Sequence, residues 1–239
     1  MSVLEIRNFG KSYGGDKWAA KNVNITVESG DIYGFIGQNG AGKSTTIRSV
    51  VGIQEFNEGE ILINGHSVKK EPMACKQITA YIPDNPDLYE HLTAIQYLNF
   101  IADVFGISAD VRQQRIKKYA DAFEITSDLG GLISSFSHGM KQKTALIGAL
   151  IHEPELMVMD EPFVGLDPKA ALTVKNIMKE LCEKGSAVFF STHVLEVAQR
   201  LCNKIAIIKQ GEIIASGNMD DLVGDKTLED VFMEVTENA

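Results

Sequence analysis

The chain has 239 residues, 44% hydrophobic and 23% charged, with 23 Lys and Arg against 32 Asp and Glu for a formal net charge of -9. That profile belongs to a folded globular protein with room for one or two cores, and it calls for no long disordered stretch. The negative balance argues against nucleic acid as a partner and against unaided adsorption to an anionic bilayer.

No stretch approaches the roughly eighteen uninterrupted apolar residues of a membrane span, and Met1 to Glu5 lack a basic-then-apolar signal pattern. The expectation is a cytoplasmic protein whose membrane contact comes only through another protein. Cys75, Cys182 and Cys202 are scattered, odd in number and without CxxC spacing, which predicts buried small hydrophobes rather than a disulfide framework or a zinc site.

In chain order, alternating Val23, Ile25 and Val27 and the run Ile32 to Ile36 read as strands around the turn residues Glu28 to Asp31, predicting an early antiparallel hairpin that leads into the core. After Gly37 to Ser44 the pattern becomes helical, and Ile61, Leu62, Ile63 form a strand ending at the turn Asn64-Gly65. Between Leu88 and about Ser135 strands disappear; Thr93 with Gln96 makes a capping-box signature for a helix carrying Ile95, Leu98, Ile101, Ala102 and Phe105, which reads as a helical insert. The runs Leu156 to Met159 and Ala187 to Phe190 flank a helical stretch from Pro168 to about Cys182, a spacing that implies parallel pairing. Ile205 to Ile208, the turn Lys209 to Glu212, Ile213 to Ala215 and a polar tail complete the chain, with no internal repeat.

Residues 37 to 44 read Gly-Gln-Asn-Gly-Ala-Gly-Lys-Ser, matching GxxxxGK[ST] with a strand before and a helix after. Glycines there let the amides of Gly40 to Lys43, Ala41 and Gly42 included, turn inward around phosphate oxygens at the positive end of a helix. Gly37 and Asn39 belong to the same cradle. Lys43 is expected to reach the β and γ phosphates, Ser44 to offer a hydroxyl to Mg²⁺, and Thr45 to touch the α phosphate, so a nucleoside triphosphate and Mg²⁺ are expected here, with the base left open by these residues.

Met157 to Glu161 is an apolar strand ending in two carboxylates, at the edge where an open α/β sheet binds ligands. Asp160 is placed to hold Mg²⁺ and Glu161 to act as general base on the attacking water. His193 follows the strand Ala187 to Phe190 in Ser-Thr-His, where a neutral imidazole can contact the γ phosphate.

The segment Ser135-Phe136-Ser137-His138-Gly139-Met140-Lys141-Gln142-Lys143 resembles the LSGGQ signature of ABC ATPases. Gly165-Leu166-Asp167-Pro168 looks like that family's D-loop, Tyr81-Ile82-Pro83-Asp84 occupies the Q-loop place, and Tyr13 the place of the adenine-stacking aromatic, with Trp18 a less favoured candidate. The resemblance implies an α/β P-loop NTPase of ABC type: a mostly parallel sheet core with an antiparallel β edge from the N-terminal strands and an inserted α-helical subdomain. Residues 1–86 and 155–239 would form the RecA-like ATP-binding core and 87–154 the helical signature subdomain. It also implies that Ser137 and Gly139 bind the γ phosphate held by a second cassette, in a homodimer or heterodimer, and that Asp84 joins Ser44 and Asp160 around the metal. His138 replaces the usual glycine, Phe136 the usual leucine, Val164 the usual first D-loop serine, and Asp84 the usual glutamine. An ionised aspartate is shorter than glutamine and accepts hydrogen bonds without donating them.

A cassette without spans must borrow its pore. Asp87 to Thr93 resembles the surface that receives a permease's coupling helix, and Thr227 to Thr236 the ending of stand-alone cassettes serving export permeases for drugs, peptides or lipids. The resemblance therefore implies an ATPase on the cytoplasmic face of the cell membrane, peripheral, powering export through a separate transmembrane permease. A soluble ABC ATPase in a cytosolic assembly without a permease is the alternative.

Overall fold

The computed structural model describes residues 1–15 and 17–238, so Asp16 and Ala239 of the expected core lie outside the described residues. Strands β1 (Ser2–Ser12) and β2 (Trp18–Glu28) pair antiparallel, Leu4 opposite Val27 and Phe9 opposite Val23. The next strand, β3 (Ile32–Ile36), does not pair with β2, and the hairpin expected between these two segments is absent because they lie in different sheets. The reason lies in their patterns. β2 buries alternate residues and so covers one face, whereas all five residues of β3 are buried, as a central parallel strand requires. Asp31 fixes the crossover between sheets. Its buried carboxylate accepts the Glu28 amide at 2.7 Å, Asn203 Nδ2 at 2.8 Å and Lys204 Nζ at 3.0 Å.

Helix α1 (Lys43–Val50) follows, then β4 (Glu58–Ile63) and the short β5 (His66–Ser67), joined by Asn64 and Gly65 with φ of 47° and 80°. Two successive left-handed residues match the right-handed twist of a hairpin, which is why Asn-Gly was readable there. After α2 (Pro72–Ile78) and β6 (Thr79–Ile82) come the helices α3 (Ala94–Val104), α4 (Ala109–Ala122) and α5 (His138–Leu150). The predicted capping box opens α3: the Gln96 amide donates to Thr93 Oγ1 and the Thr93 amide to Gln96 Oε1. The remaining elements are β7 (Leu156–Asp160), α6 (Pro168–Glu183), β8 (Ala187–Thr192), α7 (Leu195–Leu201), β9 (Lys204–Lys209), β10 (Glu212–Asn218), α8 (Met219–Val223) and α9 (Leu228–Asn238).

Among the described residues the strands make two sheets, one ordered β2-β1-β4-β5 and one ordered β10-β9-β3-β8-β7-β6. β7 and β8 run parallel with Leu156 opposite Ala187 and α6 between them in sequence, as expected. The N-terminal antiparallel strands form a sheet of their own rather than an edge of the core sheet, whose antiparallel edge is β10. Between the sheets an apolar layer joins Leu4, Phe9 and Ile61 to Ile47, Phe35 and Phe189. On the far face of the core sheet, Leu98, Leu146 and Met178 of the helices pack against Met157, Met159 and Phe190. The C-terminal ends of β3, β7 and β8 thereby meet at one edge, with Asp160 opposite Ser191 and Ile36 opposite Thr192.

Cys75, Cys182 and Cys202 are buried free thiols, and burial pushes Cys182 up to about 12. No helix among the described residues is long and apolar enough to cross a membrane. His152 lies between α5 and β7 with its ring stacked on Phe105, centroids 3.8 Å apart, and both ring nitrogens buried without a hydrogen bond of good geometry. Burial lowers its pKa from 6.5 to about 4, outweighing a nearby Thr79 backbone group that raises it. The unfolded chain therefore takes up a proton near pH 6.5 that the folded chain refuses until about pH 4, and stability falls as pH drops through that window, by about 3 kcal/mol in all. Urea midpoints measured from pH 7 to 4 are expected to show a steeper loss for the native protein than for His152→Phe; equal slopes would place the acid sensitivity elsewhere.

Candidate functional site

The phosphate loop leaves β3 at Ile36 and enters α1 at Lys43. Gly42 has φ 113°, and a Cβ there would sit 2.4 Å from the Ala19 carbonyl oxygen; one on Gly37 would sit 2.5 Å from that of Ile208. The loop is thus pressed against the starts of β2 and the end of β9, and only glycine permits that approach. The Gly211 amide, in the β9–β10 turn, donates to the Ala41 carbonyl at 2.9 Å. Asn39 and Gly40 are exposed at the loop's tip, while Ser44 and Thr45 are half-buried in the first turn of α1. Lys43 is buried. Its Nζ donates to the Gly37 carbonyl at 2.6 Å and lies 3.5 Å from Glu161 Oε1.

Asp160 ends β7 and is 1% exposed. Its Oδ1 accepts the Ser191 hydroxyl, and its Oδ2 is buried with no partner. A buried carboxylate oxygen left unpaired costs free energy, so its persistence marks a place where a cation or water completes the site. Oxygen donors from Asp160 and Ser44 suit a hard divalent cation. Glu161 adopts φ 47°, a left-handed backbone rarely held by a non-glycine residue away from functional sites. Its amide donates to Ser191 Oγ at 3.1 Å, and its Oε1 lies 3.0 Å from His193 Nδ1. Lys43, Asp160, Glu161 and His193 therefore meet at one sheet edge. Ser191, which holds both acidic residues, was missed by sequence reasoning; its signal was the parallel register that sets it opposite Asp160.

The other predicted groups stand apart from this cluster. Asp84 lies exposed two residues past β6, its Oδ1 accepting the Asn85 amide at 3.0 Å. Ser137 caps α5, accepting the Met140 amide, and neither it nor Gly139 makes a hydrogen bond to the phosphate loop of its own chain among the described residues. Instead the signature meets the D-loop. The His138 ring covers Gly165 so closely that a Cβ there would lie 2.4 Å from its Cδ2, and Lys143 Nζ is 3.1 Å from Asp167 Oδ2. The Ala170 amide, donated at the start of α6, and Lys143 together hold the Asp167 carboxyl below its usual range. Tyr13 is 67% exposed and lines a cleft with Trp18, Ala19, Gly40, Gln210 and Glu212, its hydroxyl 2.9 Å from Gln54 Oε1 and 3.3 Å from Thr45 Oγ1.

A family model described as ABC transporter matches residues 20–164. The chain is 36% identical over 241 residues to the ABC-type transporter ATP-binding protein EcsA of Bacillus subtilis (strain 168), covering 99% of this chain and 97% of that protein. It is 36% identical over 220 residues to the linearmycin resistance ATP-binding protein LnrL of the same organism, covering 92% of this chain and 70% of that protein. Its fold superimposes on a solved ATP binding subunit of an ABC transporter with a TM-score of 0.93 at 34% identity, over 98% of this chain and 99% of that one. A family match across more than half of the sequence, joined to end-to-end likeness in sequence and fold, means that the chain belongs to the ATP-binding subunits of ABC transporters and is an ATPase.

Proposed function

We propose that this ATPase is the motor of an exporter, peripheral to the cytoplasmic face of the cell membrane and acting as a pair of cassettes on a separate transmembrane permease. One observation carries the partnership: a groove of mixed polar and aromatic lining at the junction of the helical insert and the core sheet, with exposed aromatic rings at its side. Tyr81, Pro83, Leu88, Tyr97, Ile101 and Phe105 line it. Tyr89 and Phe100, both exposed, cluster beside Tyr97 with ring centroids 5.6 Å and 6.3 Å from Tyr89. Exposed aromatic surface of that kind serves a partner. The groove adjoins the segment that leads to Asp84, so a permease segment seated in it would feel motion of residues 87–154 against the core. Export is favoured by the linearmycin resistance relative, since resistance is served by moving a compound outward.

In this reading the amides of Gly40 to Lys43 and the positive end of α1 hold the phosphates. Lys43 leaves the Gly37 carbonyl for the β and γ phosphates, which frees Glu161 to accept the proton of the attacking water. His193 steadies that carboxylate and meets the γ phosphate. Mg²⁺, when bound by Ser44 and Asp160, supplies neutralising charge to the β and γ phosphates, and Asp84, which stands apart in the unbound chain, would join as a further oxygen ligand only by moving toward them. Ser137 and Gly139 act on the ATP of the second cassette, in keeping with their separation from their own phosphate loop. Tyr13 stacks on adenine.

Purification of the tagged protein from membranes in mild detergent tests the partnership. An integral membrane protein should co-elute in constant ratio, and Tyr89→Glu should lower its recovery while leaving ATP binding intact. A cassette found only with soluble partners would overturn the proposal in favour of a cytosolic assembly.

A further inference from the structure

An exposed tyrosine samples several rotamers, and fixing one costs entropy at the moment a ligand arrives. Tyr13 is exposed yet held at its far end by Gln54 and Thr45. A phenol has one proton to give, so the shorter contact is read as Tyr13 donating to Gln54 Oε1, with the Thr45 hydroxyl donating across 3.3 Å. Gln54 is itself anchored. Its backbone amide donates to the Arg48 carbonyl of α1 at 3.1 Å, and its side-chain Nε2 is buried without a partner, leaving the amide oxygen as the end that does the binding. The helix that starts at the phosphate loop therefore also sets, through Gln54, where the Tyr13 ring stands in the cleft beside Gly40.

We infer that Gln54 is a positioning residue for nucleotide recognition: it holds the Tyr13 ring ready for a purine base and so tunes base affinity without touching the nucleotide. The inference rests on the proposed stacking role of Tyr13. Affinity of the full-length protein for ATP and for inorganic tripolyphosphate, which has phosphates but no base, separates the two ideas. Gln54→Leu should weaken ATP roughly threefold to tenfold, as loss of one neutral hydrogen bond does, and leave tripolyphosphate unchanged. It should raise KM for ATP and spare kcat. Tyr13→Phe should match it, the double variant should be no worse than either single one, and Gln54→Glu, which keeps an acceptor oxygen, should restore affinity.

If Gln54→Leu binds ATP like the native protein while Tyr13→Ala does not, the inference fails and the stacking role stands. Undiminished ATP affinity in Tyr13→Ala removes both. Equal loss for ATP and tripolyphosphate in Gln54→Leu would make Gln54 a support of the phosphate loop, which also overturns the inference.

Discussion

Glu161→Gln is expected to lower ATP turnover by roughly 10²- to 10⁴-fold, the span that a positioned general base contributes. The substitution isolates basicity. Glutamine has the same length, its side-chain oxygen can still accept from His193, and its backbone meets the same φ of 47° that glutamate tolerates, so the geometry around Ser191 and Lys43 survives. ATP binding should persist, and cassettes mixed with ATP should remain paired long enough to run as a dimer in size-exclusion chromatography. Phosphate release measured alongside decides the matter: turnover near the native rate would move proton acceptance to another group.

The second large effect concerns shape rather than charge. Gly42→Ala places a Cβ 2.4 Å from the Ala19 carbonyl oxygen in a residue already at φ 113°. Backbone strain and the forced retreat of β2 together cost about 2–4 kcal/mol, which raises the ATP dissociation constant roughly 30- to 1000-fold. Gly40 provides the contrast. It too has positive φ, 81°, but a Cβ there meets nothing within 4 Å, so Gly40→Ala carries the strain without the collision and should lose far less. Titration with a fluorescent ATP analogue, with thermal midpoints to check folding, separates them; equal affinities for the two variants would show that the backing of β2 does not shape the loop.

The parts of this site that depend on short-range pattern are legible in the sequence alone. Gly37 to Ser44 announces itself because phosphate binding needs glycines and a lysine at fixed offsets, and Asp160-Glu161 because an apolar strand ends there in two carboxylates. The Thr93–Gln96 cap was readable for the same local reason. What depended on distant segments was not. Whether Ile32 to Ile36 folds back on β2 or enters another sheet turns on Asn203 and Lys204 meeting Asp31, more than 170 positions away. The hold of Gln54 on Tyr13 and the cover of His138 over Gly165 likewise arise only when the chain is folded.

The buttress of the phosphate loop has a consequence for how the protein is made. Ile208 and Gly211, which back Gly37 and Ala41, are separated from the loop by some 170 residues of sequence. β9, the strand that carries Ile208, is also the neighbour that closes one side of β3. Synthesis in the N-to-C direction supplies the nucleotide cradle before its rear wall. The cradle therefore has no backing until β9 and the turn after it have been made.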